Sequence, residues 1–309
     1  MRKRERLVFP EGEDERILKA ASVIARKKIA NVVLLGDIDR ILSKLEKLKL
    51  RFNVSIINPL TATEKDAYAQ KLYEMRRKKG LTVQETIKLI KNPNYFACMM
   101  LLFGDCDAVL SGAVYSTPQM LRPAFQIIKT KEGVKKASGA ILTKLKGKTY
   151  LFADVSVQEE PNPEELAEVA KLSARTFEKL TGKKARIAML SYSTHSAIGK
   201  SEENVRKAAA IAKKYHLNVE GEIQLDAALV KEVALRKHVR FIDANVLIFP
   251  DLNAGNIGYK LVKIFAGAKI RGVIIQGLKK PVNDLSKGCN AEDIVNLALI
   301  TVKQIKWQF

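Results

Sequence analysis

The sequence predicts an α/β protein of two domains built on mainly parallel sheets. Short apolar runs rich in valine and isoleucine alternate with stretches whose apolar residues recur at helical spacing, the pattern of strands covered by helices on both faces. The alternation continues along the whole chain, which favours crossover-connected parallel strands over separate all-α and all-β parts. A length of 309 residues suits two domains, each large enough for its own core.

The elements follow in order. LVFPEG (7–12) reads as a strand leading into a turn, DERILKAASVIARKK (14–28) as an amphipathic helix, and NVVLLGD (31–37) as a buried strand ended by Gly36. DAVLSGAV (107–114), TYLFADVSV (149–157), ARIAMLSY (185–192), NVLIFPD (245–251) and GVIIQG (272–277) repeat the strand signal. In LSGAVYSTPQMLRP a strand ends at Val114, Thr117 reads as a helix cap, and Pro118 takes the first helical position. The hydroxyls of Ser116 and Thr117 and the free helix amides there form an anion cradle, with Arg122 about one turn further on. From the residues alone, a capped surface helix with a solvated arginine is the simpler reading. The Gly/Lys-rich step from Lys135 to Lys148 is one candidate domain crossing. There is no internal repeat, low-complexity segment or heptad array.

Composition narrows the function classes. A hydrophobic content of 47% argues against long disordered stretches. No run has the length of a membrane-spanning helix. The start, MRKRERLVFPEGEDER, has basic residues with no apolar stretch behind them, so no signal peptide is read and the cytoplasm is the expected location. Cys98, Cys106 and Cys289 are odd in number and lack metal-ligand spacing. Cys98 reads as core, and Cys289 as a small buried residue in a tight turn in preference to a nucleophile. His195, His216 and His238 form no metal set, and no metal is expected. The formal charge of +21 is read first as lysines dispersed over helix exteriors, second as steering of anionic small molecules, and a distant third as a nucleic-acid surface. The densest basic clusters, Lys44 to Arg51 and Arg76 to Gly80, are not interleaved with aromatics.

The run IIQGLKKPVNDLSKGCNAEDIV, Ile274 to Val295, is the most informative. It reads as a buried strand, then a loop holding Asn283, Asp284, Ser286, Lys287 and Asn290, then a helix start where Asp293 precedes Ile294 and Val295. In open α/β folds ligands sit outside the carboxyl ends of strands, and an anion can use the free amides of the next helix. Asn290 can cap that helix with Asp293 as its third residue, which explains Asp293 without chemistry. LSYSTHSAIG (190–199) and PDLNAGNIG (250–258) are further strand-end loops, whose hydroxyls, amides and glycines let a backbone approach a ligand. YEMRRKKG (73–80) is a basic helix end that complements the helix dipole.

The same run resembles the C-terminal signature of the phosphate acetyl/butyryltransferase family, close to GLxKPVNDLSRGCxxxDIV, with Lys287 in place of arginine. FPEGEDERILKAA (9–21), YEMRRKKG (73–80), LSGAVYSTPQMLRPAFQIIKT (110–130), GEIQLDAA (221–228) and NVLIFPDLNAGNIGYKL (245–261) resemble family blocks in the family's order. The resemblance implies two α/β domains of isocitrate/isopropylmalate dehydrogenase-like architecture, 1–134 plus 269–309 and 135–268, with the active site in the interdomain cleft. It implies reversible acetyl transfer between acetyl phosphate and coenzyme A. Asp293 would take the thiol proton, because the thiolate is the nucleophile. Ser286 would position the sulfur, and Lys287 would steady charge on the carbonyl oxygen. Arg76 and Arg122 would hold the phosphate, guanidinium being suited to paired donation. Ser116, Thr117, Ser193, Thr194, Asn256 and Gly258 would line the substrate pocket. THSAIG departs from the family's wording and brings His195 into that wall. Coenzyme A is then a substrate, no cofactor is needed, and the expected assembly is a homodimer. The alternatives are transfer of propionyl or butyryl groups, a catalytically weakened relative that binds ligand or nucleic acid, and a decarboxylating dehydrogenase of related architecture. The last would need an aspartate metal group and a nicotinamide loop, and neither can be assembled here.

Overall fold

The structure, a computed structural model, describes residues 4–196 and 198–307; Met1–Lys3 of the basic start and Ala197 of THSAIG lie outside the described residues. The chain forms two compact units, Met1–Thr130 with Leu278–Phe309, and Lys131–Gly277.

The first unit begins with β1 (Arg6–Phe9), β2 (Asn31–Leu35), β3 (Ser55–Ile57) and β4 (Ala108–Ser111). Between β1 and β2 runs the helix Glu15–Arg26, whose Ile17, Leu18, Ala20, Ala21 and Ile24 are buried and whose N-cap is Asp14. That spacing is one apolar stripe of a 3.6-residue helix. β1, β2 and β4 are buried almost throughout, as the continuous apolar runs require.

The second unit adds β5 (Ser138–Leu145), β6 (Lys148–Ala153), β7 (Ile187–Leu190), β8 (Val219–Ile223), β9 (Val246–Ile248) and β10 (Lys269–Gln276). Its sheet has the order β10-β5-β6-β9-β7-β8. β6, β9, β7 and β8 pair in parallel, while β10, β5 and β6 pair antiparallel. The helix Pro163–Thr181 buries Leu166, Val169, Ala170 and Phe177 in a core shared with Leu151, Ile187, Met189 and Val246. Truncating one such fully buried large side chain costs about 2–5 kcal/mol.

The chain then returns to the first unit with β11 (Val282–Asp284), beside β4, giving the order β11-β4-β1-β2-β3 with every pairing parallel. The closing helix Ala291–Ile305 packs against Glu15–Arg26.

Two boundaries differ from the sequence expectation. The Gly/Lys-rich step at 135–148 is not the crossing: it holds β5 and its hairpin to β6, with Lys146 at φ 47° and Gly147 at φ 79° as the two-residue turn. The return does not begin at residue 269, because β10 pairs with β5 and stays in the second sheet. Strand β10 is bordered by glycines at both ends, so its local sequence says nothing of which sheet it joins.

Candidate functional site

Ser116 and Thr117 follow the carboxyl end of β4, and Ser286, Lys287 and Asp293 follow that of β11. These strands are neighbours, Asp284 lying in register with Ser111, so the loops that follow them are neighbours too. The sequence places Asn283 and Asp284 in the loop; they are instead the buried end of β11, 0% and 3% exposed. Asn283 donates to Thr301 Oγ1 and Gln304 Oε1 of the closing helix, both at 2.8 Å. The exposed loop proper is Ser286, Lys287 and Gly288, turned by a bond from the Cys289 N–H to the Ser286 carbonyl at 2.8 Å. Cys289 is buried in that turn, and burial pushes its thiol up to about 11. A thiol so held is not a ready nucleophile.

Asn290 is the N-cap of the closing helix and Asp293 its third residue, as the sequence predicts. Asn290 Oδ1 accepts from the Asp293 N–H at 2.9 Å, and Asp293 Oδ2 accepts from the Asn290 N–H at 3.2 Å. This reciprocal box uses one carboxylate oxygen of a half-exposed Asp293. Among the described residues no hydrogen bond engages its other oxygen, so capping and proton acceptance are compatible in one residue.

The loop after β4 corrects two expectations. β4 ends at Ser111, and the helix Thr117–Pro123 is capped by Ser116 rather than Thr117. Gln119 Oε1 accepts from both the N–H and the Oγ of Ser116. The amides leading into the helix are not open to an external anion. The carboxylate of Glu11, 6% exposed, accepts from the N–H groups of Gly112, Ala113, Val114 and Tyr115 at 2.8–3.1 Å. Thr117 turns its hydroxyl to Asp284 Oδ2 at 2.7 Å. Burial raises the Asp284 carboxyl to about 7 against the pull of that bond, and the Glu11 charge adds to the rise. Gly112 is required where the loops touch: its φ is 114°, and a Cβ there would stand 2.1 Å from Asp284 Oδ1.

Arg76 ends the helix Lys65–Arg76, and Arg122 lies on the helix that begins at Thr117. Both act on the same group: burial lifts the Tyr95 hydroxyl, and the charges of Arg122 and Arg76 oppose the rise. The Tyr95 hydroxyl donates to Gln126 Oε1 at 2.9 Å. Among the described residues, neither guanidinium makes a hydrogen bond or ion pair, nor does the Lys287 ammonium. Three cations thus keep their donors available.

The second unit treats its candidates differently. Ser193 is buried, with its Oγ 3.1 Å from Ser196 Oγ. Thr194 Oγ1 donates to Gln224 Oε1 and accepts from the Gln224 N–H. Asn256 and Gly258 do not lie in a loop: both sit inside the helix Leu252–Phe265. Asn256 Nδ2 donates to the Val155 carbonyl at 3.1 Å, and a Cβ on Gly258 would meet the Phe249 ring at 2.9 Å. His195 pairs with Glu220 at 3.6 Å beside Lys213 and Arg240, a structural cluster. Among the described residues, no group of three or more His, Cys, Asp or Glu could hold a metal ion. No described helix is long and apolar enough to cross a membrane.

Sequence reasoning missed Glu11, Asp14 and Arg16. All three lie in the quoted block Phe9–Ala21, where acids and an arginine crowd a strand-to-helix turn. That crowding was the available signal; the strand whose loop they serve is about a hundred residues away, and no local pattern names it.

A parallel α/β sheet whose strand-end loop carries a hydroxyl and, among the described residues, an unengaged lysine, and leads into a helix whose first turn holds a carboxylate, has the parts of an enzyme moving charged groups with acid–base help. The comparisons narrow that class. The model of the family described as phosphate acetyl/butaryl transferase matches residues 1–302, and the chain belongs to that family. It is 44% identical to the phosphate acetyltransferase of Clostridium acetobutylicum over 97% of this chain and 94% of that protein. It is 45% identical to the phosphate acetyltransferase of Thermoanaerobacterium thermosaccharolyticum over 97% and 95%. A solved phosphotransacetylase from Streptococcus pyogenes superimposes with a TM-score of 0.92 at 38% identity, covering 98% of this chain and 94% of that one.

Proposed function

We propose that the protein is a phosphate acetyltransferase that interconverts acetyl phosphate and coenzyme A with acetyl-coenzyme A and phosphate. What supports the reading is that a chain matched over residues 1–302 by the family model carries Ser286 and Lys287 in the short loop after β11, and Asp293, with one oxygen outside its capping box, in the first turn of the helix that this loop enters. Asp293 takes the thiol proton of coenzyme A, because the thiolate is the nucleophile and most thiol is protonated near neutral pH. The thiolate attacks the acetyl carbonyl carbon, the carbonyl π electrons move onto oxygen, and the Lys287 ammonium steadies that charge. Collapse breaks the carbon–oxygen bond to phosphate, which leaves as an anion held by Arg76 and Arg122. Ser286 orients the sulfur. The incoming thiol supplies the nucleophile, so the sequence of steps needs no covalent enzyme intermediate.

Lysine at 287 keeps the charge of the family arginine but not its planar two-pronged donor set, so the oxyanion is met by a point charge. Ser193, Thr194, Asn256 and Gly258 act by bracing, since their side chains or packing are already engaged within the second unit. The cytoplasm, where coenzyme A is used, is the proposed location. The proposed homodimer would use the exposed apolar stripe Ile257, Leu261, Ile264 and Phe265 of the helix Leu252–Phe265, 57%, 48%, 73% and 83% exposed.

The test is thioester formation by the purified protein from coenzyme A with acetyl, propionyl and butyryl phosphate. Acetyl phosphate is expected to give the highest kcat/KM. Preference for a longer chain moves the assignment within the family, and no thioester from any of the three overturns it. Sedimentation of the protein and of Phe265→Glu checks the dimer, which the variant is expected to weaken.

A further inference from the structure

Arg16 stands in the first turn of the helix Glu15–Arg26, and its guanidinium is fully engaged. Nε–H donates to Asp14 Oδ1 at 3.0 Å, and Nη2 donates to Asp14 Oδ2 and to the Ala113 carbonyl, each at 2.8 Å. Nη1 donates to the carbonyls of Lys287 at 2.6 Å and Cys289 at 3.3 Å. A guanidinium carries five N–H donors in a rigid fork, so none is left for a substrate. This arginine therefore differs in kind from Arg76 and Arg122.

What Arg16 touches is the main chain of two loops. The Ala113 carbonyl belongs to the loop after β4, and the Lys287 and Cys289 carbonyls flank the tip of the loop after β11. Among the described residues, no other donor reaches the Lys287 or Cys289 carbonyl. Among the described residues the loop's remaining ties are few: the Leu285 N–H to the Ser111 carbonyl at 2.6 Å, the Cys289 N–H to the Ser286 carbonyl at 2.8 Å, the Gly288 N–H to Ser286 Oγ at 3.3 Å and, where the loop meets the helix, the Asn290–Asp293 capping box and the Ile294 N–H to the Asn290 carbonyl. Asp14 fixes the arginine from the other side, as helix cap and as a two-oxygen partner.

We propose that Arg16 is a positioning residue that clamps the Ser286–Asn290 loop to the loop after β4 and thereby sets Ser286 and Lys287 relative to Asp293. The kinetic consequence rests on the function proposed above; the clamp itself does not. A misplacement of about 1 Å can cost about 100-fold in rate while leaving binding elsewhere intact. Substrate held by Arg76 and Arg122 does not depend on the clamp, so its loss falls on kcat rather than on KM for acetyl phosphate.

The experiment uses the full chain and the variants Arg16→Ala and Arg16→Lys. In Arg16→Ala, kcat is expected to fall about 100-fold with KM for acetyl phosphate unchanged, and added guanidinium ion is expected to restore part of the loss. Arg16→Lys should recover less than guanidinium, since one ammonium cannot reach two loops and a carboxylate in a planar fork. Amide hydrogen exchange across 286–290 should quicken in both variants, with exchange in the second unit unchanged. Unchanged kcat, or a loss accompanied by uniformly faster exchange and no rescue, overturns the proposal. Should the unaltered protein form no thioester, the function proposed above fails alone, and the exchange at 286–290 still decides the clamp.

Discussion

The two units handle their strand-end polar groups in opposite ways. In the first unit, among the described residues, Arg76, Arg122 and Lys287 keep unengaged donors, and Asp293 keeps an oxygen outside its capping box. In the second, Thr194 and Asn256 are tied to Gln224 and Val155, and His195 to Glu220. Each unit also folds a carboxylate under a strand-end loop. Glu11 crosses from the end of β1 to the loop after β4, while Asp154 accepts from Gly139 and from Ser156, Val157 and Gln158 of its own loop. Such internal anions remove nearby amides from the pool that could bind substrate. The difference teaches that, among the described residues, the first unit leaves side-chain donors open while its strand-end amides are taken, whereas in the second unit Thr194, Asn256 and His195 are engaged internally.

The largest effect that tests this contrast is at Asp293. Asp293→Asn keeps an oxygen for the Asn290 amide but loses the base, so kcat should fall about 10²- to 10⁴-fold with an unchanged melting temperature. Retained turnover in steady-state assays would leave capping as the residue's role. Next come Arg76→Gln and Arg122→Gln. Each should raise KM for acetyl phosphate about 10- to 100-fold, the worth of a charged hydrogen bond of about 1.5–3 kcal/mol, without loss of stability. A fall in melting temperature in place of a KM change would mean that these guanidiniums are structural after all.

Asp284 supplies a pH test of the engaged layer beneath the loop. Its folded carboxyl titrates at about 7, raised by burial from an ordinary 3.8. Between those values the folded chain binds more protons than the unfolded one. The stability it contributes is therefore complete below pH 3.8 and is lost as the pH rises through 7. Asp284→Asn removes that dependence and should gain about 2 kcal/mol on the parent protein between pH 5 and pH 8, measured by urea unfolding. Parallel pH profiles for the two proteins would contradict it. The smallest effect belongs to the second unit. Asn256→Ala should cost about 1 kcal/mol of stability through the lost bond to Val155, with KM unchanged. A rise in KM at normal stability would erase the contrast between the units.

Elements that state themselves locally were legible in the sequence. The apolar runs behind β1, β2, β4, β6, β7, β9 and β10 read as strands, and the Asn290–Asp293 box follows from two residues three apart. Strands β3 and β11 are not legible, because polar residues interrupt them (Ser55; Asn283 and Asp284), whereas the equally short β9 lies inside the apolar run NVLIF; β11 reads as loop although Asn283 and Asp284 are buried. Ser116 and Thr117 are equally good caps by sequence, and Gln119 decides for Ser116 only in three dimensions. Residues 250–258 read as a loop, although the helix begins at Leu252, because Gly255 and Gly258 read as breakers. They are there because the backbone passes within reach of Asp154 and Phe249, where a Cβ would stand 2.0 Å and 2.9 Å away.

The sequence by itself determined the α/β class, the family and the chemical identity of the Asp293, Ser286 and Lys287 group, since these depend on residue type and near-neighbour spacing. The tertiary structure alone decided which anion occupies the amides after β4, which arginine is locked to main chain and which are open, and which sheet β10 joins. Those outcomes depend on contacts between residues a hundred or more positions apart, such as Glu11 with Ala113 and Arg16 with Lys287, and no local pattern encodes a partner at that distance.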